Sequence, residues 1–71
     1  MRIELLLPGF YRQMVHDAPT ARMAAEHMAT VFGRKVNLYG PGMVRVSTED
    51  ITVTYALDKG PNGLSLTRMR G

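Results

Sequence analysis

Apolar and polar residues alternate with a period of two in several short stretches of this chain. Residues 2–7 carry isoleucine or leucine at every second position, which predicts a strand that ends at the turn-forming pair Pro8-Gly9. The same alternation recurs four times further along, with turn-forming residues between the stretches. These later stretches are residues 35–39, 43–47, 51–57 and 64–69. We expect them to form an antiparallel meander of four strands. The apolar positions expected to face the core are Val36, Leu38, Val44, Val46, Ile51, Val53, Tyr55, Leu57, Leu64 and Leu66.

One stretch follows a helical period instead. Apolar residues spaced by three and four predict an amphipathic helix over residues 18–32. Pro19 suits the first helical position, where its missing N–H needs no partner. Gly33 suits the position just after a helix, where the backbone adopts a left-handed conformation. The predicted apolar stripe consists of Ala21, Ala24, Ala25, Met28, Val31 and Phe32.

These elements predict the order β-α-β-β-β-β. The fold class is α+β: two layers, with one helix packed on a four- to five-stranded, mainly antiparallel sheet. We expect residues 1–71 to form a single domain, since 71 residues are too few for a dinucleotide-binding fold or a TIM barrel. Residues 8–17 show no clear period and are predicted to form a long connection, either a loop throughout or a loop that holds one helical turn. The position of the first strand within the sheet is left open.

The net charge and the cysteine count limit the partners, sites and cellular locations that are possible for this chain. The chain has 9 Lys and Arg against 6 Asp and Glu, a net charge of +3, which favours an anionic partner. The charges are dispersed and form no basic arm. With 0 cysteines, disulfides and thiolate metal sites are excluded, and we expect a reducing, cytoplasmic location. The apolar opening is too short to predict a signal peptide or a membrane span.

The predicted outer sheet face is polar and slightly basic. It suits nucleic acid if a tyrosine stacks on a base and cations hold phosphate groups. An ordinary solvated face is the alternative. The residues predicted for binding nucleic acid or an acidic partner are Lys35, Tyr39, Arg45, Arg68 and Arg70.

The predicted connection over residues 8–17 is unusually apolar for a loop. Aromatic residues, Met and Arg are enriched in the cores of protein interfaces, so this segment is a candidate anchor for a protein partner. The alternative is that Phe10 and Val15 cap the open end of a small core. The predicted partner-binding residues are Phe10, Tyr11, Arg12, Met14 and His16.

The sequence offers little catalytic chemistry. His16 and Asp17 are chain neighbours, a spacing that seldom aims both side chains at one substrate, and nothing in the spacing brings His27 to them as a zinc site would need. The glycines match neither a phosphate-binding loop nor a dinucleotide fingerprint. We therefore expect no enzyme activity, no catalytic residue, no metal and no cofactor.

Three function classes remain open. The first is a small non-enzymatic protein-binding module; chains of this size without motifs are frequent among phage and mobile-element inhibitors of host complexes, including anti-CRISPR proteins. The second is a basic nucleic-acid-binding domain that uses the outer sheet face. The third is a structural homo-oligomer, a homodimer for example, in which an edge strand or the outer sheet face pairs with a second copy. We expect no membrane partner.

Overall fold

In the described part of the chain, five strands form one sheet and two helices pack against it. The computed structural model describes residues 1–69. In chain order the elements are β1 (Arg2–Leu7), β2 (Phe10–Val15), α1 (Ala21–Val31), α2 (Gly33–Tyr39), β3 (Gly42–Ser47), β4 (Thr52–Gly60) and β5 (Gly63–Arg68). The strands lie in the order β2-β1-β3-β4-β5, and every neighbouring pair is antiparallel. The predicted α+β class, with helix packed on antiparallel sheet, is confirmed, while the element order is β-β-α-α-β-β-β.

The predicted long connection is wrong, because its central part is strand β2. Pro8 and Gly9 form a two-residue turn in which Gly9 has a φ of 72°, a conformation that glycine adopts without strain. The chain therefore reverses, and Phe10 pairs with Leu7 across the turn. From there β2 runs antiparallel to β1 as an edge strand of the sheet.

The strand predicted over residues 35–39 is also wrong, because this segment belongs to α2. Val36 is buried under the sheet, whereas Leu38, predicted to share its face, is 74% exposed. Two alternating apolar residues, Val36 and Leu38, are too few to separate a strand from a short helix. Gly40, with a φ of 97°, ends α2, and its N–H donates to the Val36 carbonyl at 2.9 Å.

Gly33 has a different role from the predicted one. It does not adopt the left-handed conformation; it begins α2 directly after Phe32. A Cβ atom at Gly33 would lie 3.0 Å from Leu64 Cδ1. The missing side chain therefore lets β5 approach the second helix closely.

Helix α1 starts three residues later than predicted. Thr20 is its N-cap, and the Thr20 hydroxyl accepts a hydrogen bond from the Met23 backbone N–H at 3.1 Å. Pro19 therefore precedes the cap instead of occupying the first helical position. At the other end of the helix, Val31 was predicted to face the core but is 52% exposed. Ala29 is buried in the core instead.

The core lies between the helices and the inner sheet face. Alanines of α1 allow this helix to approach the sheet closely, and Met28 fills the space between them. Ile51 was predicted to face inward, but it precedes β4 and is 58% exposed. The largest fully buried side chains are Ile3, Leu5, Met28, Leu57, Val44 and Val46.

Candidate functional site

Aromatic and cationic side chains gather where the start of β2 meets α2. Phe10 projects from β2 toward the helices, because its register partner Leu7 faces the core. The Phe10 ring stacks on Tyr39 with centroids 5.4 Å apart and packs against Phe32 at 6.2 Å. We call this cluster, together with the two cations over its rings, the aromatic corner. It consists of Phe10, Arg12, Phe32, Lys35 and Tyr39.

Two cations of the aromatic corner lie over its rings. The Lys35 ammonium is 5.4 Å from the centroid of Phe10, and the Arg12 guanidinium is 5.9 Å from Phe10 and 5.6 Å from Phe32. These are cation–π distances. Within residues 1–69, Arg45 forms an ion pair with Glu4, and neither Arg12 nor Lys35 forms one. The two charges of the corner therefore lie over aromatic rings and are not paired with a carboxylate of the described residues.

The helical geometry explains how Lys35 and Tyr39 reach the same ring. They are four residues apart in α2, so they lie on one face of the helix, one turn from each other. Tyr39 is 41% exposed, and its chain neighbour Leu38 is more exposed still. Phe10 is half-buried and packs against the core. The corner is thus anchored at its base and open at its rim.

The predicted partner-binding residues separate onto two sides of the sheet. Phe10 and Arg12 belong to the aromatic corner, and Met14, on the same side, packs against the core. Tyr11 points to the opposite, outer face and is 53% exposed. His16 lies just beyond the end of β2. The strand alternation that residues 10–15 adopt is the cause of this separation.

The residues predicted to bind nucleic acid do not form one surface. Lys35 and Tyr39 are on α2 and not on the outer sheet face as predicted. Arg45 is on that outer face, and Arg68 is paired with Tyr55, whose side chain faces the core, so Arg68 is on the helix side. Arg70 lies outside the described residues. The structure instead brings Lys35 and Tyr39 together with Phe10 and Arg12, two residues of the other predicted set.

The outer sheet face carries a polar network centred on Glu4. The Tyr11 hydroxyl donates to Glu4 Oε2 at 2.6 Å, and Arg45 donates through Nε to Oε1 at 3.0 Å and through Nη2 to Oε2 at 3.3 Å. The Arg45 hydrogen bond, then the Tyr11 hydrogen bond, lowers the pKa of Glu4 below its ordinary value. The hydrogen bond to Glu4 raises the pKa of both Tyr11 and Arg45. The positive charge of Arg45 is therefore compensated by the Glu4 carboxylate, which weakens its predicted role in holding phosphate.

His16 and His27 meet although the sequence spacing does not suggest it. Their rings are parallel, 4.0 Å apart, at one side of an open groove of about 500 Å³ that Asp17 and Glu26 also line. Across the described residues, no three His, Cys, Asp or Glu side chains come close enough to form a metal site. The groove therefore holds a stacked histidine pair, and the two carboxylates also line it. Within the described residues these groups do not form a cluster of metal ligands.

Sequence reasoning missed two residues of these sites. Phe32 was assigned to the core stripe of the helix, and Glu4 was given no functional role. A signal for the first was present: Phe32 is the last residue before Gly33, the predicted end of the helix. No local signal pointed to the second, because Arg45 is 41 residues away from Glu4 in the chain.

Comparisons with known proteins give no relative for this chain: no protein-family model, no curated protein and no solved structure matches it. Within residues 1–69 no helix combines the length and apolar character needed to cross a membrane.

Proposed function

We propose that this chain is a non-enzymatic protein-binding module that contacts its partner through the aromatic corner. The observation that carries the proposal is the convergence of three aromatic rings and two cations at one half-exposed site. Aromatic residues and Arg dominate the energetics of protein interfaces. The five residues of the corner include no nucleophile paired with a base, so their chemistry suits recognition.

The packing of the corner also favours tight binding. Phe10 contacts Tyr39, Phe32, Arg12 and Lys35 in the free protein, so these side chains are already ordered. An ordered side chain loses less rotamer entropy when a partner covers it. We infer a partner surface that offers apolar area to the rims of Tyr39 and Leu38 and carboxylates to the two cations.

The same packing argues for a protein over single-stranded nucleic acid. A base needs an open ring face on which to stack. The ring of Phe10 is occupied by Tyr39 and by two cations of this chain, and Arg12 lies over Phe32. The aromatic rings therefore contact each other and the cations, and they do not form a row of free platforms.

A charge reversal in the corner tests the proposal. Immobilised wild-type protein and the Lys35→Glu variant are used to capture partners from cells that express the chain. The captured protein is then purified, and its affinity is measured by calorimetry. We expect Lys35→Glu to weaken binding by about tenfold or more. Lys59→Glu makes the same charge change on exposed β4, outside the corner, and is expected to bind like wild type.

Two results would contradict the proposal. One is equal affinity of wild-type protein and Lys35→Glu for the captured partner, with both variants folded by circular dichroism. The other is tight binding of labelled nucleic acid that falls steeply between about 50 and 200 mM salt and is lost in Lys35→Glu. The second result would assign the corner to nucleic acid.

An inhibitory role in a host complex would follow if the captured partner loses activity when bound.

We further propose a cytoplasmic location. The chain has 0 cysteines, so it forms no disulfide bond that would require an oxidising compartment.

A further inference from the structure

The five-stranded sheet has two edges, β2 and β5, with backbone groups that face away from the sheet. In an antiparallel pair, alternate residues bond to the neighbouring strand and the others point outward. Phe10 closes the two-residue turn opposite Leu7, and the His16 N–H donates to the Met1 carbonyl at 3.0 Å. The even-numbered residues of β2 therefore bond to β1. The N–H and C=O groups of the remaining residues face the free edge; these are Tyr11, Gln13 and Val15.

The edge at β5 is protected by another side chain. Arg22 of α1 donates through Nη1 to the Leu66 carbonyl at 3.0 Å, and its guanidinium lies over the Tyr55 ring. By register Leu66 is one of the residues whose backbone groups face outward on this edge. A charged side chain placed across an edge strand is a common way to prevent pairing with another strand.

Among residues 1–69, no charged side chain lies across the edge at β2 in this way. The charged residue of β2, Arg12, turns toward Phe10 and Phe32 and away from the edge. The Tyr11 hydroxyl reaches back across the sheet to Glu4. The pairing with β1 is continuous, so no bulge bends the strand, and its sequence contains no proline. Among the described residues, nothing hydrogen-bonds to the outward backbone groups of Gln13.

We propose that β2 pairs with β2 of a second copy of this chain, antiparallel, about a two-fold axis at Gln13. Each Gln13 would exchange two backbone hydrogen bonds with Gln13 of the second copy, and Tyr11 would do so with Val15 of the second copy. The result is a continuous ten-stranded sheet with both helix layers on the same side. This proposal concerns an edge of the sheet and goes beyond the partner binding assigned to the aromatic corner.

The sequence of β2 is complementary to itself in this register. On the outer face Tyr11, 53% exposed, comes beside Val15 of the second copy, which is 79% exposed. An aromatic residue opposite a β-branched one is a favourable cross-strand pair. On the helix side Arg12 comes opposite Met14, so no like charges face each other. Self-pairing therefore covers the apolar residues that the edge exposes.

The oligomeric state and the exchange of three amides test the proposal together. Light scattering after gel filtration, from micromolar to millimolar protein, is expected to show a mass that rises to twice that of one chain. Hydrogen exchange measured by NMR is expected to show protection of the Tyr11, Gln13 and Val15 amides that disappears on dilution. A monomer at every concentration, or a dimer in which these amides exchange freely, would overturn the proposal.

Gln13→Pro removes the central donor and leaves the pairing with β1 intact, because the Gln13 N–H points away from β1. We expect this variant to be monomeric. Arg68→Pro makes the same change at an outward-facing position of β5 and is the matched control; it should dimerise like wild type. A Gln13→Pro variant that is folded and still dimeric would contradict the inferred register.

Gln13→Lys provides a second test, because it brings two ammonium groups together at the axis. Its dimer should weaken at low salt and recover as salt screens the repulsion. Lys35→Glu should weaken partner binding and leave the dimer mass unchanged. The proposed partner binding by the aromatic corner and the proposed pairing of β2 can therefore be rejected independently of each other.

Discussion

At the scale of single residues, Glu4 shows how an open sheet face can hold a nearly buried carboxylate. Glu4 is 9% exposed although both described helices pack on the opposite face of the sheet. Tyr11 of β2 and Arg45 of β3 flank it, so side chains of the two neighbouring strands enclose it. The carboxylate thereby links three strands through side chains as well as through the backbone.

This network predicts a pH dependence of stability. Because the folded-state pKa of Glu4 lies below its ordinary value of 4.5, its contribution is present above pH 4.5 and is lost as the pH falls through the lowered value. We expect Glu4→Gln to flatten the acid side of the stability profile, measured by urea unfolding between neutral pH and about pH 3. Glu49→Gln, in the exposed turn after β3, is the control for the chemical change. An unchanged acid slope in Glu4→Gln would contradict the role given to the network.

At the scale of elements, local sequence signals and tertiary contacts determine different parts of the chain. Pro8-Gly9 is a two-residue turn signal, and residues 10–15 alternate between the two sheet faces once the turn is recognised. The turn was therefore recognisable from the sequence, but strand β2 was not, because apolar and polar residues do not alternate over residues 10–15. Helix α2 was not predictable, because its single buried residue, Val36, is held by tertiary packing.

Gly42 tests the pairing of β1 with β3. A Cβ atom at Gly42 would collide with the Leu6 carbonyl and with the Leu7 side chain, so the two strands would have to move apart. We expect Gly42→Ala to lower the free energy of unfolding by about 1–3 kcal/mol, the usual cost of overpacking. The measurement is urea or thermal unfolding followed by circular dichroism.

Gly60→Ala is the matched control for this substitution. Its Cβ would lie 3.8 Å from the nearest backbone atom, the Gly63 carbonyl oxygen, which is an ordinary contact distance. The free energy of unfolding should therefore change by no more than about 0.5 kcal/mol. Equal effects of the two substitutions would show that the close approach at Gly42 is absent.

At the scale of the whole molecule, one layer of helices covers one face of the sheet and leaves the other face to polar side chains. The core is thin, so each buried side chain carries a large share of the stability. The strand order β2-β1-β3-β4-β5 places β2 at one edge of the sheet. The aromatic corner and the free edge of β2 both lie at this edge.

A pair of leucine substitutions tests this arrangement. Leu57 is fully buried, so Leu57→Ala should lower the free energy of unfolding by about 2–5 kcal/mol. Leu38 is 74% exposed on α2, so Leu38→Ala should change the free energy of unfolding by no more than about 0.5 kcal/mol. A large loss for Leu38→Ala would instead support the strand that the alternation of residues 35–39 predicted.

The sequence by itself determined the α+β class, most of α1, and the strands β1, β3, β4 and β5 with most of their inward residues; Ile51 and Leu64, predicted to face inward, are exposed. Those features depend on local periodicity and on turn residues, which a short window of sequence contains. Only the tertiary structure decided the place of β1 in the sheet, the helical state of α2, the meeting of Phe10 with Tyr39 and the enclosure of Glu4. These features depend on contacts between residues far apart in the chain, and local periodicity carries no information about such contacts.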